Sequence, residues 1–272
     1  MADFEIVSSA LCIIGESPTY RKNKEEFWWI DINGKSLHCL DLSTNTQKAF
    51  ILKEQPGCLF IDSQDKIHIA CETGIYVLQK DGTCDILYSI KPQGKRYNDG
   101  KIGPDGALWI GTISPELQGC FYKIDSHGKV KVLLEGIGNS NGLAWNTKKR
   151  KFYLNDTYKH STYVFDYDDN YELRNSRILR DWGEENPDGM VIDGNGSLYV
   201  ALFGGSRIEK ISGTTGKILR KIYLPVPNVT SLCFIDENFR KLLVTTGAYN
   251  TDLKQYPFAG GVFKIFLNDR GD

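Results

Sequence analysis

Six short apolar runs recur at intervals of about forty residues: FWWIDI from Phe27, IHIACE from Ile67, LWIGT from Leu108, FYLND from Phe152, LYVAL from Leu198 and LLVTT from Leu242. A period of that length marks a repeated supersecondary unit, and the content of each unit says which one. Each run is rich in β-branched and aromatic residues, and several follow turn sequences such as GPDG at 103–106 or DGNG at 193–196, so each reads as a strand. An alternating segment comes next in every unit: SLHCLDL, GIYVLQ, GCFYKID, STYVFDY, RIEKIS and GVFKIF. Most are followed by a polar turn, such as KDGT at 80–83 or SHGK at 126–129, and then by an outer strand such as KVKVLLEG. Counting the apolar segment before each run, every unit holds four antiparallel strands. This predicts an all-β, six-bladed β-propeller occupying 1–272 as a single domain.

The last unit ends with its third strand, GVFKIF, whereas DFEIVSSA at the other end alternates as a strand should. The N-terminal strand is therefore expected to join the last blade and close the ring, hiding two sheet edges that would otherwise stay unpaired. A pair of sandwiches or two small barrels would also bury such strands, but neither accounts for six units in phase.

Composition narrows the function classes. With 41% hydrophobic and 25% charged residues the chain reads as globular, and its 33 basic residues nearly cancel its 34 acidic ones. No basic run interleaved with aromatics appears, so no nucleic-acid partner is expected. No stretch approaches the length of about 18 apolar residues that a membrane helix needs. The start, MADFEIVSSALCIIGESP, places acidic residues before a short apolar patch and does not read as a signal peptide, so a cytoplasmic location is expected. A monomer or weak homodimer is expected as well. Seven cysteines without a C-x-x-C pair read as reduced thiols. Four scattered histidines, none in an H-E-x-x-H pattern, give no support to a histidine-ligated zinc centre.

Setting the six units in register, ten or eleven residues before each run, gives Glu16, Gly57, Asn98, Asn141, Asp188 and Ser231. In a propeller the innermost strands line the central channel, so these positions converge at one end of the axis. Two carboxylates and two amide oxygens would meet there, a hard oxygen-only site suited to Ca²⁺, Mg²⁺ or Mn²⁺. Taken singly, NDG, SNG and PDG are also ordinary turn tripeptides; only their common phase argues for a site.

Two other motifs invite a functional reading. GNSNG at 138–142 fits G-x-S-x-G, but a nucleophile elbow needs a helix after the serine. Ser140 is followed instead by strand-like sequence, and His160, the only later histidine, falls on a loop of the same unit. DYDDN at 166–170 resembles the start of an EF-hand loop, yet Tyr171 and Arg177 stand where Gly and a bidentate Glu are required, so it reads as a hairpin turn.

Taken together, GESP at 15–18, RYNDGK at 96–101 with DGALWIGT after it, SNGLAW at 140–145, PDGM at 187–190 and AGGVFKI near the end resemble the senescence-marker-protein/gluconolactonase/regucalcin family of six-bladed propellers. Tyr20 stands where that family often has Trp, a difference expected to concern packing only. The resemblance implies that Glu16, Asn141 and Asp188 bind one divalent ion, Ca²⁺, Zn²⁺, Mg²⁺ or Mn²⁺. It implies that Arg96 and Asn98 contact substrate, with Asn98 near enough to the ion to be a ligand, and that Asp188 is the general base. The implied activity is hydrolysis of a sugar lactone or related cyclic ester, a small-molecule substrate. For Arg96 the competing reading is a surface residue paired with Asp85 or a neighbour. For the whole chain it is a non-catalytic calcium-binding regulatory or interaction propeller. The loops at 71–74, 113–119, 155–161 and 203–207 are expected to rim the pocket.

Overall fold

The computed structural model describes residues 3–267. Its strands form six separate four-stranded antiparallel sheets, and no sheet shares a strand with another. Five are consecutive in sequence, spanning 15–51, 58–88, 96–137, 140–181 and 186–223 (blades 1 to 5). Blade 6 consists of three strands within 228–266 and the N-terminal strand Asp3–Ser8, which pairs antiparallel with Val262–Phe266. The innermost strands of neighbouring blades all touch one another, blade 6 against blade 1 included, so the blades form a closed ring: a six-bladed β-propeller. The six apolar runs are the second strands of the blades, and each alternating segment is a third strand.

The blades adhere through apolar side chains that alternate along each strand and meet those of the next blade. Six buried clusters lie among the described residues, one in each gap between blades. Trp109, Phe121 and Phe152 fill the gap between blades 3 and 4 with rings about 5 to 6 Å apart, as the centroid distances of 6.2, 5.1 and 5.4 Å record. Phe27, Trp29, Leu243 and Val262 close the gap between blades 1 and 6. All seven cysteines are free thiols. Among the described residues no helix is long and apolar enough to cross a membrane.

What positions the site is a local irregularity repeated around the ring. Pairing between first and second strands shifts register at Glu16/Thr19, Tyr97/Gly100, Asn141/Leu143, Pro187/Met190 and Val229/Ser231. A bulge inserts unpaired residues and turns their side chains away from the regular alternation. The NDG, SNG and PDG tripeptides are therefore strand bulges, where the turn reading would have placed connections. Their glycines serve close approach between strands. A Cβ on Gly142 would lie 2.5 Å from the Met190 nitrogen, and one on Gly189 would lie 2.1 Å from Ser231 Oγ. Side chains are thus excluded at the residue that follows each of Asn141 and Asp188, and adjacent innermost strands can pack almost backbone to backbone.

Candidate active site

The register count anticipated that Glu16, Asn98, Asn141 and Asp188 would meet at the axis, and all four are buried on the innermost strands of blades 1, 3, 4 and 5. Ser231 occupies the equivalent place in blade 6 and is buried too. At Gly57, just before the innermost strand of blade 2, a Cβ would lie 2.2 Å from the Tyr97 carbonyl oxygen, so that blade leaves room for its neighbour and contributes no side chain.

The carboxyl groups of Glu16 and Asp188 are neighbours, each influencing the ionisation of the other. Burial is the largest influence on both and favours the uncharged form, lifting Glu16 to about 8. Asp188 is held well above the ordinary carboxylate range by desolvation and then by the charges of Glu16 and Asp99. Glu16 Oε2 also accepts the Ser17 amide at 2.7 Å, which fixes its rotamer from its own backbone. Ser17 adopts φ of 53°, and its hydroxyl bonds both the amide and the carbonyl of Leu59 in blade 2, tying that turn down.

Amides link blades 3, 4 and 5 around this pair. Asn98 Nδ2 donates to Asn141 Oδ1 at 3.0 Å, to Asn139 Oδ1 at 2.9 Å and to the Ser140 carbonyl at 2.7 Å. Its own Oδ1 accepts from Arg96 Nη1 at 2.5 Å, so in this arrangement the Asn98 oxygen faces the guanidinium. Asn141 Nδ2 donates to Thr157 Oγ1 at 2.7 Å, and that hydroxyl in turn donates to the Pro187 carbonyl at 2.7 Å. The chain of bonds runs from Arg96 to the backbone beside Asp188. Arg96 is only 8% exposed, which rules out the alternative of a surface residue paired with Asp85. Desolvation lowers its pKa, opposed by the charge of Glu16 and by Tyr158 on the neighbouring rim. Both of its hydrogen bonds leave from Nη1; among the described residues Nε and Nη2 have no hydrogen-bond partner.

Several supporting residues carried no signal in the sequence. Asp31 and Asp156 close the second strands of blades 1 and 4 and clamp the segments that lead into Glu16 and Asn141. Asp31 accepts the amides of Ile13 and Ile14 at 2.8 and 3.0 Å, and Asp156 accepts those of Gly138 and Asn139, both at 2.9 Å. Asp99, the neighbour of Asn98, is another buried acid, and its Oδ2 has no hydrogen-bond partner among the described residues. Its charge reaches both Glu16 and Asp188, yet no group of three or more His, Cys, Asp or Glu side chains among the described residues is arranged to hold a metal ion. A cation at the axis would therefore rest on two carboxylates plus amide oxygen.

The other motifs resolve as structural. Ser140 is fully buried, its hydroxyl has no partner among the described residues, and the strand it opens leads only into a 3-10 turn at Thr147–Lys149, not the helix a nucleophile elbow needs, so it is no nucleophile. DYDDN forms a hairpin turn in which Asp168 Oδ1 accepts the amides of Asn170 and Glu172. The four loops expected at the rim all join second to third strands, on the face where the innermost strands begin.

A family model described as SMP-30/Gluconolactonase/LRE-like region matches residues 14–248. The chain belongs to this family. Regucalcin of Homo sapiens is 30% identical over 278 residues, covering 96% of this chain and 93% of that protein. A 6-deoxy-6-sulfogluconolactonase of Pseudomonas putida is 29% identical over 271 residues, covering 95% and 93%. Among solved structures, a luciferin-regenerating enzyme superposes with a TM-score of 0.89 at 26% identity, covering 98% of this chain and 95% of its own. Relatives with quite different names thus match this chain along nearly its whole length.

Proposed function

We propose that this chain hydrolyses a sugar lactone or related cyclic ester at a divalent metal ion held by Glu16, Asn141 and Asp188. The observation that carries the proposal is the buried carboxyl pair of Glu16 and Asp188. Two acids this close can share a proton or share a cation, but they cannot both stay charged and bare. The surrounding donors are oxygens, with neither thiolate nor imidazole, which fits Ca²⁺, Mg²⁺ or Mn²⁺ better than Zn²⁺. The lactonase name of a relative at nearly full-length cover supports the choice of substrate class.

When bound, such an ion supplies Lewis-acid polarisation of the ester carbonyl. The remaining work belongs to the chain. Arg96 offers two free edges of its guanidinium to the hydroxyls or ring oxygen of the substrate, and Asn98 fixes that guanidinium through its Oδ1. Burial excludes bulk water from Arg96 and Asp188, which strengthens each contact they make. Asp188 acts as the general base. Water oxygen bonds to the acyl carbon, the ring C–O bond breaks, and the proton taken up by Asp188 passes to the ring oxygen, leaving an open-chain hydroxy acid.

The test is a pH-stat assay on gluconolactone and a panel of related lactones, before and after chelation, with Ca²⁺, Mg²⁺, Mn²⁺ and Zn²⁺ added back. Loss of hydrolysis on chelation with the circular dichroism spectrum unchanged, and recovery on adding an ion, supports the proposal. Chelation that lowers only the melting temperature, with no lactone hydrolysed by the metal-loaded protein, would favour a non-catalytic calcium-binding propeller.

A further inference from the structure

We propose that Lys101 is a positioning residue for this metal centre, joining the two innermost strands that present Asn141 and Asp188. Lys101 lies on the innermost strand of blade 3, and its Nζ donates to the Leu143 carbonyl of blade 4 at 3.1 Å and to the Met190 carbonyl of blade 5 at 2.7 Å. Leu143 follows Asn141 by two residues, and Met190 follows Asp188 by two. Each acceptor therefore stands at the end of the bulge that aims its ligand at the axis.

The need for such a cross-link follows from the fold. An innermost strand has no strand on its axial side, so carbonyls directed into the channel lack a ladder partner. Bulges loosen the pairing on the other side as well. One ammonium that bonds two of these carbonyls satisfies both and sets the spacing between blades 4 and 5 at the level of the ligands.

Lys101 does not act on substrate directly. It comes five residues after Arg96 on a strand that rises about 3.3 Å per residue, toward the opposite mouth of the channel. There it borders a cavity of about 520 Å³, with Pro18, Tyr20, Leu59, Phe60, Val191 and Phe234 among the walls. Burial raises the pKa of both Asp99 and Glu16, and the charge of Lys101 opposes that rise.

This inference rests on the proposed metal site, and titration calorimetry with Ca²⁺ and with Mn²⁺ tests the two separately. Relative to the parent protein, Lys101→Met is expected to weaken ion binding about 10- to 100-fold, the usual effect of losing a group that orients metal ligands. Lys101→Arg, which keeps both charge and donors, is expected to restore most of the affinity. If Lys101→Met does not fold, Lys101→Gln carries the same test with a shorter, uncharged side chain, and a loss of at least about tenfold is expected. Unchanged affinity in the folded variant, even with a lower melting temperature, would overturn the proposal and leave Lys101 as a brace for the fold alone. A parent protein that binds neither ion would overturn the metal site and this inference together.

Discussion

Glu16 of blade 1 and Asp188 of blade 5 are neighbours at the propeller axis, each shifting the ionisation of the other, although nearly two-thirds of the chain separates them. That contact exists because bulges on both innermost strands turn the two side chains inward, and because Gly142 and Gly189 let the intervening strands approach. Nothing in the immediate sequence neighbourhood of either residue would hold two acids together.

Asp188→Ala should abolish most of the lactone hydrolysis, by about a hundredfold or more in kcat, because it removes a general base. Asp188→Asn keeps an oxygen donor without the basicity and should fall as far in kcat with metal saturating. Steady-state kinetics on gluconolactone with saturating ion checks both; near-normal turnover in either variant contradicts the assigned role.

Gly142→Ala should destabilise the protein without touching any side chain of the site. Its new Cβ would meet two backbone atoms of the next blade, Met190 N at 2.5 Å and Asp188 O at 2.6 Å, and neither can swing aside as a side chain could. Overpacking of this kind costs about 1–3 kcal/mol, which lowers the melting temperature by several degrees in a protein of this size. Because the displaced backbone carries Asp188, activity should drop as well. A melting temperature equal to that of the parent would show that the strands are less tightly packed than described.

These two cases show how far the sequence could be read. The ring was legible because a forty-residue period of β-branched runs has few other solutions, and Asp3–Ser8 completes blade 6 as its alternation suggested. Glu16, Asn98, Asn141 and Asp188 were legible through their shared phase. Lys101 was not, since its partners are carbonyls of Leu143 and Met190, and a backbone acceptor leaves no trace in the identity of its residue. Asp31 and Asp156 escaped notice for a similar reason, as they accept backbone amides and end otherwise ordinary strands. The register count placed Asn98 correctly but could not say which way its amide points; in the structure its oxygen faces Arg96 and its nitrogen faces Asn141.

An acid-sensitive component of stability should trace to His38. Its ring stacks on Trp29 with centroids 5.1 Å apart, Nε2 hydrogen-bonds with Ser36 Oγ at 2.8 Å, and Nδ1 is buried without a partner among the described residues. Desolvation lowers its pKa, and the charge of Asp31 only partly offsets this. The folded protein thus resists protonation that the unfolded chain accepts near the usual value of about 6.5. The stabilising contribution is complete above that pH and declines as pH falls through the lowered folded value. Denaturant midpoints at pH 7.5 and pH 5 should therefore fall more for the parent than for His38→Gln. Equal losses would contradict the assignment.

Everything in the proposed chemistry depends on one cation held by Glu16, Asn141 and Asp188, and stoichiometric metal binding tests that dependence most directly. Elemental analysis after equilibrium dialysis against Ca²⁺ or Mn²⁺ should find one ion per chain in the parent protein. It should find little or none in Glu16→Ala and Asp188→Ala at the same free ion concentration. A parent that retains no divalent ion, or variants that retain it as fully as the parent, would contradict the account.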